Sequence, residues 1–366
     1  MTVIIVLFVL LAVLAVYLFL RQPKFGRAPT GKRLEQMKRS ANYKEGQFHN
    51  LSNTPTLTEG VSFYQAFREF FFSPSKRKKP QVLVPTQKTD LNGLQPNENS
   101  LVWFGHSSYF LQLEGKKILV DPVLSGHASP VKFTTRSFGG SDVYTADDIP
   151  AIDYLFITHD HWDHLDYTTV MKLKPRIGRI ITGLGVGAHL EHWGFAPETI
   201  IEKDWDETVV LDDGFVVHTA PTRHFSGRGF RRNGTLWLSF ILITPNHRIY
   251  FGGDSGYDSH FANIGNKYGP FDLAILENGQ YDKNWKYIHM MPEEVLKAAQ
   301  DLKAGKLLPV HWSKFALANH DWDDPIIRLS AAGIHHTATI LTPLIGERVN
   351  IDVTTPSTNQ WWLSNR

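Results

Sequence analysis

The stretch THDHWDHLDY, Thr158 to Tyr167, places three histidines and three aspartates within the eight residues His159 to Asp166. Ionisable groups this dense repel one another and lose hydration unless a positive charge sits among them. The chain has no cysteine, so disulfides and thiolate metal sites are excluded. A metal ion would have to be held by imidazole and carboxylate, and the 17 histidines make that possible. His159 and His161 are two residues apart. On a helix that spacing points side chains roughly 200° apart. On an extended segment the two share a face and can reach one ion. Asp163 and His164 lie just beyond, where the chain must turn, and from a turn they can face a second ion. Each ion wants about four ligands, so other strand ends must contribute. His224 after FVVHTAPTR, Asp254 after RIYFGG and His311 after KLLPV are the candidates. Gly252 and Gly253 allow close backbone approach beside Asp254.

The elements that must position these residues begin at Ser100. LVWF, YFLQL and KILVD read as a strand and hairpin, and IDYLFIT is an apolar run ending at the cluster. RIIT, TVVL-DDG-FVVHTA, LWLSFILITPNHRIYFGGD, FDLAIL and KLLPVHW supply further strands. Helical patterns lie between them, clearest in Pro292–Leu302 and Asp324–Gly333. Pro292 suits a first helical turn, and Glu293 and Glu294 favour the helix dipole there. Many antiparallel strands with interspersed helices predict two packed sheets with helices on their outer faces.

The N-terminus is of another kind. Val3–Leu20 runs 18 residues without a charge, enough for a helix that crosses a bilayer core. No basic residue precedes it and no small-x-small site follows, so an uncleaved anchor is favoured over a signal peptide. Arg21, Lys24, Arg27, Lys32, Arg33, Lys38 and Arg39 follow, placing the catalytic body on the cytoplasmic side. Three parts are expected: an anchor at 1–20, a polar and amphipathic extension at 21–97, and a catalytic domain at 98–366. Within the extension, Phe63, Phe67, Phe70 and Phe71 recur at helical spacing beside the basic run Lys76–Lys79. Two readings stay open for this stripe, an interfacial membrane element or a helix packed on the main domain. Net charge is +2, with basic residues mostly N-terminal, which argues against a nucleic-acid partner. No sequence feature fixes oligomeric state.

The pattern H-x-H-x-D-H, followed by separate His, Asp and His at strand ends, resembles the metallo-β-lactamase superfamily. WFGHSSYFLQLEGKKILVDPVLSGHASP, DDIPAIDYLFITHDHWDHLDY, FGGDSGY, YGPFDLAIL, KYIHMMPEE and HWSKFALANH are similar to N-acyl-phosphatidylethanolamine-hydrolysing phospholipase D, especially its bacterial relatives, over roughly residues 98–320. The resemblance implies an α+β fold, a four-layer αββα sandwich; the N-terminal transmembrane helix read from the apolar run is a departure from the mammalian form of that family. It implies His159, His161 and His224 around one Zn2+, Asp163, His164 and His311 around another, and Asp254 between them. Fe or Mn also suits such donors. Asp121 resembles the superfamily's early aspartate, a brace for the metal loop. His106, in FGHSSY, also matches the family. His289 matches a histidine near the substrate phosphate, and Ile288 stands where that family has glutamine. Asp163, Asp254 and His289 are therefore the expected catalytic residues. The implied function is a membrane-anchored binuclear zinc phosphodiesterase acting on N-acyl-phosphatidylethanolamine-like phospholipid by attack of a metal-bridged hydroxide. Protonation of the departing alkoxide would come from solvent or Asp163-linked groups. The alternative is a metal-dependent hydrolase or lactonase of a soluble phosphorylated or ester substrate. A non-catalytic scaffold is disfavoured because all seven ligand positions are filled.

Overall fold

The computed structural model describes residues 1–72, 75–353 and 359–365. The first 97 residues carry little regular structure: helices α1 (Thr2–Leu20), α2 (Gly31–Met37) and α3 (Phe63–Phe72), and a hairpin of β1 (Tyr43–Lys44) and β2 (Gln47–Phe48). The rest folds into two seven-stranded sheets. The first contains β3 (Ser100–Trp103), β4 (Tyr109–Leu113), β5 (Lys116–Val120), β6 (Ile152–Ile157), β7 (Ile177–Gly183) and β8 (Ile200–Lys203). The second contains β9 (Thr208–Val210), β10 (Val216–Ala220), β11 (Ser239–Ile243), β12 (Arg248–Phe251), β13 (Phe271–Glu277), β14 (Ala304–Val310) and β15 (Thr339–Ile340). The last strand, β16 (Arg348–Asn350), returns to pair with β3 at the edge of the first sheet.

Period-2 alternation explains the layering. Leu101, Trp103, Leu111, Ile118, Val120 and Phe156 belong to a core shared with the second sheet. Phe156 meets Phe240 at 4.9 Å and Tyr109 meets Phe251 at 5.9 Å between ring centroids. The alternate residues Val102, Phe110, Leu119, Leu155 and Ile157 form a second core with Val170 and Leu173 of α4 (Tyr167–Leu173) and Leu190 of α5 (Gly187–His192). Helices α6 (His260–Tyr268), α7 (Pro292–Asp301) and α8 (Asp324–Ala332) pack on the second sheet, burying Phe261, Val295, Ala299, Ile326 and Leu329.

The sheets are mixed, and parallel pairing matters most. The strands β5, β6, β7 and β8 run parallel, as do β12, β13, β14 and β15. Sequence patterning emphasised antiparallel hairpins, yet IDYLFIT and FDLAIL are the continuous apolar runs typical of parallel strands buried on both faces. Parallel neighbours need long crossovers, and α4, α5, α6, α7 and α8 supply all but the one between β5 and β6, which is a loop. The consequence is geometric. Parallel strands end on the same side, so the residues after β5, β6, β12, β13 and β14 gather at one edge of the molecule.

The aromatic stripe of α3 is not core. Phe63, Tyr64, Phe67, Phe71 and Phe72 are all exposed, by 55% at Phe67 and 75% at Phe72, and only Ala66 is buried. The adjacent basic run is partly neutralised. Arg77 bonds Asp321 at 2.9 Å and Asp323 at 2.7 Å, and the Lys78 ammonium lies 4.1 Å over the Phe70 ring.

Candidate metal centre

Apolar β6 delivers Thr158 and His159 into the edge between the sheets, and the chain then turns, with the amides of His164 and Leu165 bonding the carbonyl of His161. His159 Nε2 lies 2.9 Å from His161 Nδ1, and His224 Nε2 lies 3.2 Å from the same atom. Asp254 Oδ2 is 3.8 Å from His159 Nε2 and 3.6 Å from His224 Nε2. These four form one group with donor atoms within 4.8 Å of one another. On the other side Asp163 Oδ2 is 3.3 Å from His311 Nε2 and 3.6 Å from His164 Nε2. Asp254 Oδ2 also reaches His164 Nε2 at 3.1 Å and His311 Nε2 at 3.5 Å, so it stands between the two groups. The tight approach after β12 needs glycine. A Cβ on Gly252 would meet the Ile275 carbonyl at 2.8 Å, and Gly253, at φ 62°, lies against Thr158 and the Leu238 carbonyl.

The partners of the far ring nitrogens fix what the near ones offer. His224 Nδ1 bonds the Ile288 carbonyl at 2.9 Å, so it carries the proton and Nε2 carries a lone pair. His164 Nδ1 faces Asp121 Oδ2 at 2.8 Å, and His311 Nδ1 faces Glu277 Oε2 at 3.2 Å. Asp121 is held in turn by the amide and hydroxyl of Thr158, at 2.9 and 2.6 Å. Lone pairs and carboxylates therefore converge on one small space. His164 Nε2 and Asp254 Oδ1 are buried there without a hydrogen-bond partner. Such a site is costly unless cations fill it. Imidazole and carboxylate donors fit zinc, iron or manganese.

Burial pushes His159 and His224 well below the usual histidine range and His161 to about 4, which keeps all three neutral. Neutral imidazole is the form that binds metal. Burial would raise the carboxyls of Asp163 and Asp254, but the charge of His164 outweighs it and holds both well below their ordinary range. For His164 itself burial acts downward, and the charges of Asp254 and Asp163 overcome it, leaving the imidazole well above the ordinary value.

The sequence family described as Beta-lactamase superfamily domain matches residues 116–312, which span every residue of these two groups. The chain belongs to that superfamily. It is 38% identical over 328 residues to an uncharacterized protein of Mycobacterium tuberculosis, covering 88% of this chain and 87% of the relative. It is 32% identical to N-acyl-phosphatidylethanolamine-hydrolyzing phospholipase D 1 of Caenorhabditis elegans, over 75% of this chain and 81% of that protein. Among solved structures, a metallo hydrolase from Ignicoccus hospitalis shares the fold, with TM-score 0.51, 22% identity, and coverage of 69% of this chain and 98% of that one. The chain is thus a metallo-β-lactamase-fold member of a superfamily of metal-dependent hydrolases.

The seven sequence-expected ligands, His159, His161, Asp163, His164, His224, Asp254 and His311, come together in this superfamily site. His289 lies beside them. Its Nδ1 bonds Glu277 Oε2 at 2.7 Å, and its ring is 5.0 Å from His224 and 5.1 Å from His311. His106 reaches the same site, where its Nε2 meets Asp163 Oδ2 at 2.9 Å. Sequence reasoning missed Glu277, which holds both His289 and His311. Its signal was present, because FDLAILE is an apolar strand ending in an acid, as RIYFGGD is. It also missed Asn50, which clamps the His224 backbone at both polar atoms, with its Nδ2 donating to the carbonyl at 2.8 Å and its Oδ1 accepting from the amide at 3.1 Å. Nothing local in the sequence marks that contact.

Proposed function

We propose that this chain is a membrane-anchored binuclear zinc hydrolase, a phosphodiesterase of phospholipase D type that acts on N-acyl-phosphatidylethanolamine-like phospholipids. The observation that carries the metal part is the convergence of seven His and Asp donors with the orphaned atoms of His164 and Asp254 among them. Zinc would be held by His159, His161 and His224 on one side and by Asp163, His164 and His311 on the other, with Asp254 shared. When bound, such ions supply Lewis acidity and a nucleophile at neutral pH. The side chains do the rest. Asp121 and Glu277 hold their histidines in the tautomers that present Nε2, and His289, oriented by Glu277, can hold or give a proton at the leaving oxygen. Asp163, Asp254 and His289 are the catalytic residues in this reading.

Support for a lipid substrate comes from the surroundings. A pocket of about 300 Å³ opens over the site and is walled by Leu57, Phe225, Trp285, Ile288 and Leu317. The segment that lines it at Thr56 and Leu57 leads into α3, where Glu69 accepts from Asn284 at 3.1 Å, so α3 lies next to the Trp285 wall with its aromatic face exposed. Helix α1 is long and apolar enough to cross a membrane, and none of its residues is buried. We read 1–20 as the anchor, 21–97 as the membrane-proximal extension and 98–366 as the catalytic domain, on the cytoplasmic side. A soluble phosphorylated or ester substrate is the second reading, favoured by Ile288, whose side chain offers no head-group hydrogen bond. The test is metal analysis of the full chain in detergent, with a lipid and small-ester screen read by mass spectrometry. About two zinc ions per chain and release of N-acylethanolamine with phosphatidic acid are expected. Turnover of small esters alone would overturn the phospholipase reading.

A further inference from the structure

The pocket over the metal centre contains a single Lys or Arg side chain among the described residues, Arg232. Its guanidinium lies 4.0 Å over the Phe225 ring. Phe225 in turn packs on His161 at 4.4 Å and on His224 at 4.7 Å between centroids. The cation is therefore one aromatic ring away from two of the ligand imidazoles. Its recorded hydrogen bond is a long one, 3.4 Å, to the Thr56 hydroxyl. No carboxylate pairs with it among the described residues, whereas Arg33, Arg77, Arg328 and Arg348 each bond an acid. Arg232 is exposed at the rim of the pocket, and partial desolvation of its guanidinium over Phe225 lowers its pKa.

Outside the two metal-ligand groups, the other polar side chains of the wall are committed except for His289 Nε2. Gln280 uses its amide nitrogen on the carbonyls of His311 and Phe315 and its oxygen on the amides of Leu317 and Ala318. Thr56 faces Arg232, and His289 is tied through Nδ1 to Glu277. A guanidinium has five donors in a planar fork that matches phosphate or carboxylate oxygens. We propose that Arg232 is the specificity-determining residue of this pocket, binding an anionic oxygen of an amphiphilic substrate whose apolar part lies on Leu57, Trp285, Ile288 and Leu317. The assignment rests on the reading of this pocket as the active site. It adds that the anionic end of the substrate is held by a side chain of the protein as well as by metal.

The test uses the full-length, metal-loaded chain and titration calorimetry with three probes: dodecyl phosphate, inorganic phosphate and the neutral amphiphile dodecyl maltoside. Wild type should bind dodecyl phosphate more tightly than either of the others. Arg232→Gln should weaken dodecyl phosphate by roughly tenfold to a hundredfold, the effect of removing a charge-assisted hydrogen bond. Arg232→Lys should fall between, because it keeps the charge and loses the fork. Metal content and thermal midpoint should not move in either variant. Where phospholipid turnover is measurable, the loss should appear in KM with kcat little changed. An equal effect of both variants, no effect, or no binding of dodecyl phosphate by wild type would overturn the role of Arg232. Equal wild-type affinity for inorganic and dodecyl phosphate would overturn the apolar-tail half of the assignment. Absence of phospholipid hydrolysis alongside intact dodecyl phosphate binding would count against the phospholipase reading and leave Arg232 standing.

Discussion

The metal-binding turn and the N-terminal segment meet in space and differ in how they are built. His159–His164 is a dense local cluster whose chemistry is written in side chains. Pro23–Arg27 lies on that turn through backbone atoms. Trp193 donates to the Pro23 carbonyl at 2.7 Å, Arg228 donates twice to the Lys24 carbonyl, at 3.2 and 2.9 Å, and the Arg27 amide bonds His189 Nδ1 at 3.0 Å. Phe25 packs edge-on against Trp162, inside the turn itself, at 5.2 Å, and Phe19 at the end of α1 packs on Phe25 at the same distance. Two buried side chains join the two regions, His189, whose Nε2 lies 3.1 Å from Asp160 Oδ2, and Arg228. The same guanidinium of Arg228 bonds the carbonyls of Asp160 at 2.9 Å and Leu165 at 2.6 Å, at either end of the ligand run. A turn that repeats a charge motif declares itself. A strap that offers carbonyls does not, although the geometry of the turn depends on it.

The largest test of this contrast is on the side-chain region. Asp254→Ala removes the carboxylate that stands between both groups. It should lower metal content below two ions per chain and activity by at least about a hundredfold, read by elemental analysis and turnover. Full occupancy with full activity would refute its shared role.

Glu277→Gln comes next. It keeps the volume and loses the acceptor charge that orients His289 and His311. A loss of roughly 10- to 100-fold in metal affinity or activity is expected, measured by competition with a chelator. An unchanged affinity would mean that packing alone orients these rings.

Arg228→Met probes the strap. It leaves the Lys24, Asp160 and Leu165 carbonyls short of a donor, which should destabilise the fold by roughly 3 kcal/mol. Urea unfolding measures that loss, and trypsin should cut faster after Lys24 or Arg27. Metal content at saturating zinc should hold. If stability and cleavage are unchanged, the strap is a passive contact and the contrast between the regions dissolves.

The smallest effect on the metal centre is expected from deleting residues 1–20. Membrane association should fall, as read by flotation with vesicles. Metal content should stay within about twofold of the full chain, because the strap that touches the turn begins at Pro23. A large loss of metal would extend the mechanical link into α1. Residual vesicle binding that disappears with Phe67→Asp and Phe71→Asp would assign a second contact to α3.

Strand runs, the two packed sheets and the donor residues at strand ends were legible in the sequence because each depends on near neighbours. A β-strand alternates with period 2, an apolar run marks a buried strand, and H-x-H on extended backbone puts two imidazoles on one face. The parallel order of β5–β6 and β12–β13–β14, which carries the donors to one edge, was less visible, since register is a property of pairs of strands far apart in sequence. Glu277 could have been found from the acid that ends its strand. Asn50 and Arg228 could not, because their partners are backbone atoms 174 and 204 residues away for His224 and Lys24. The sequence by itself determined the superfamily, the donor chemistry and an apolar N-terminal helix. Only the tertiary structure decided that α3 turns its aromatic face outward, that Arg232 lacks an acidic partner among the described residues, and that the segment after α1 grips the turn of His159–His164. A covalent spacing fixes local geometry at once, whereas exposure and pairing exist only after distant segments have closed on one another.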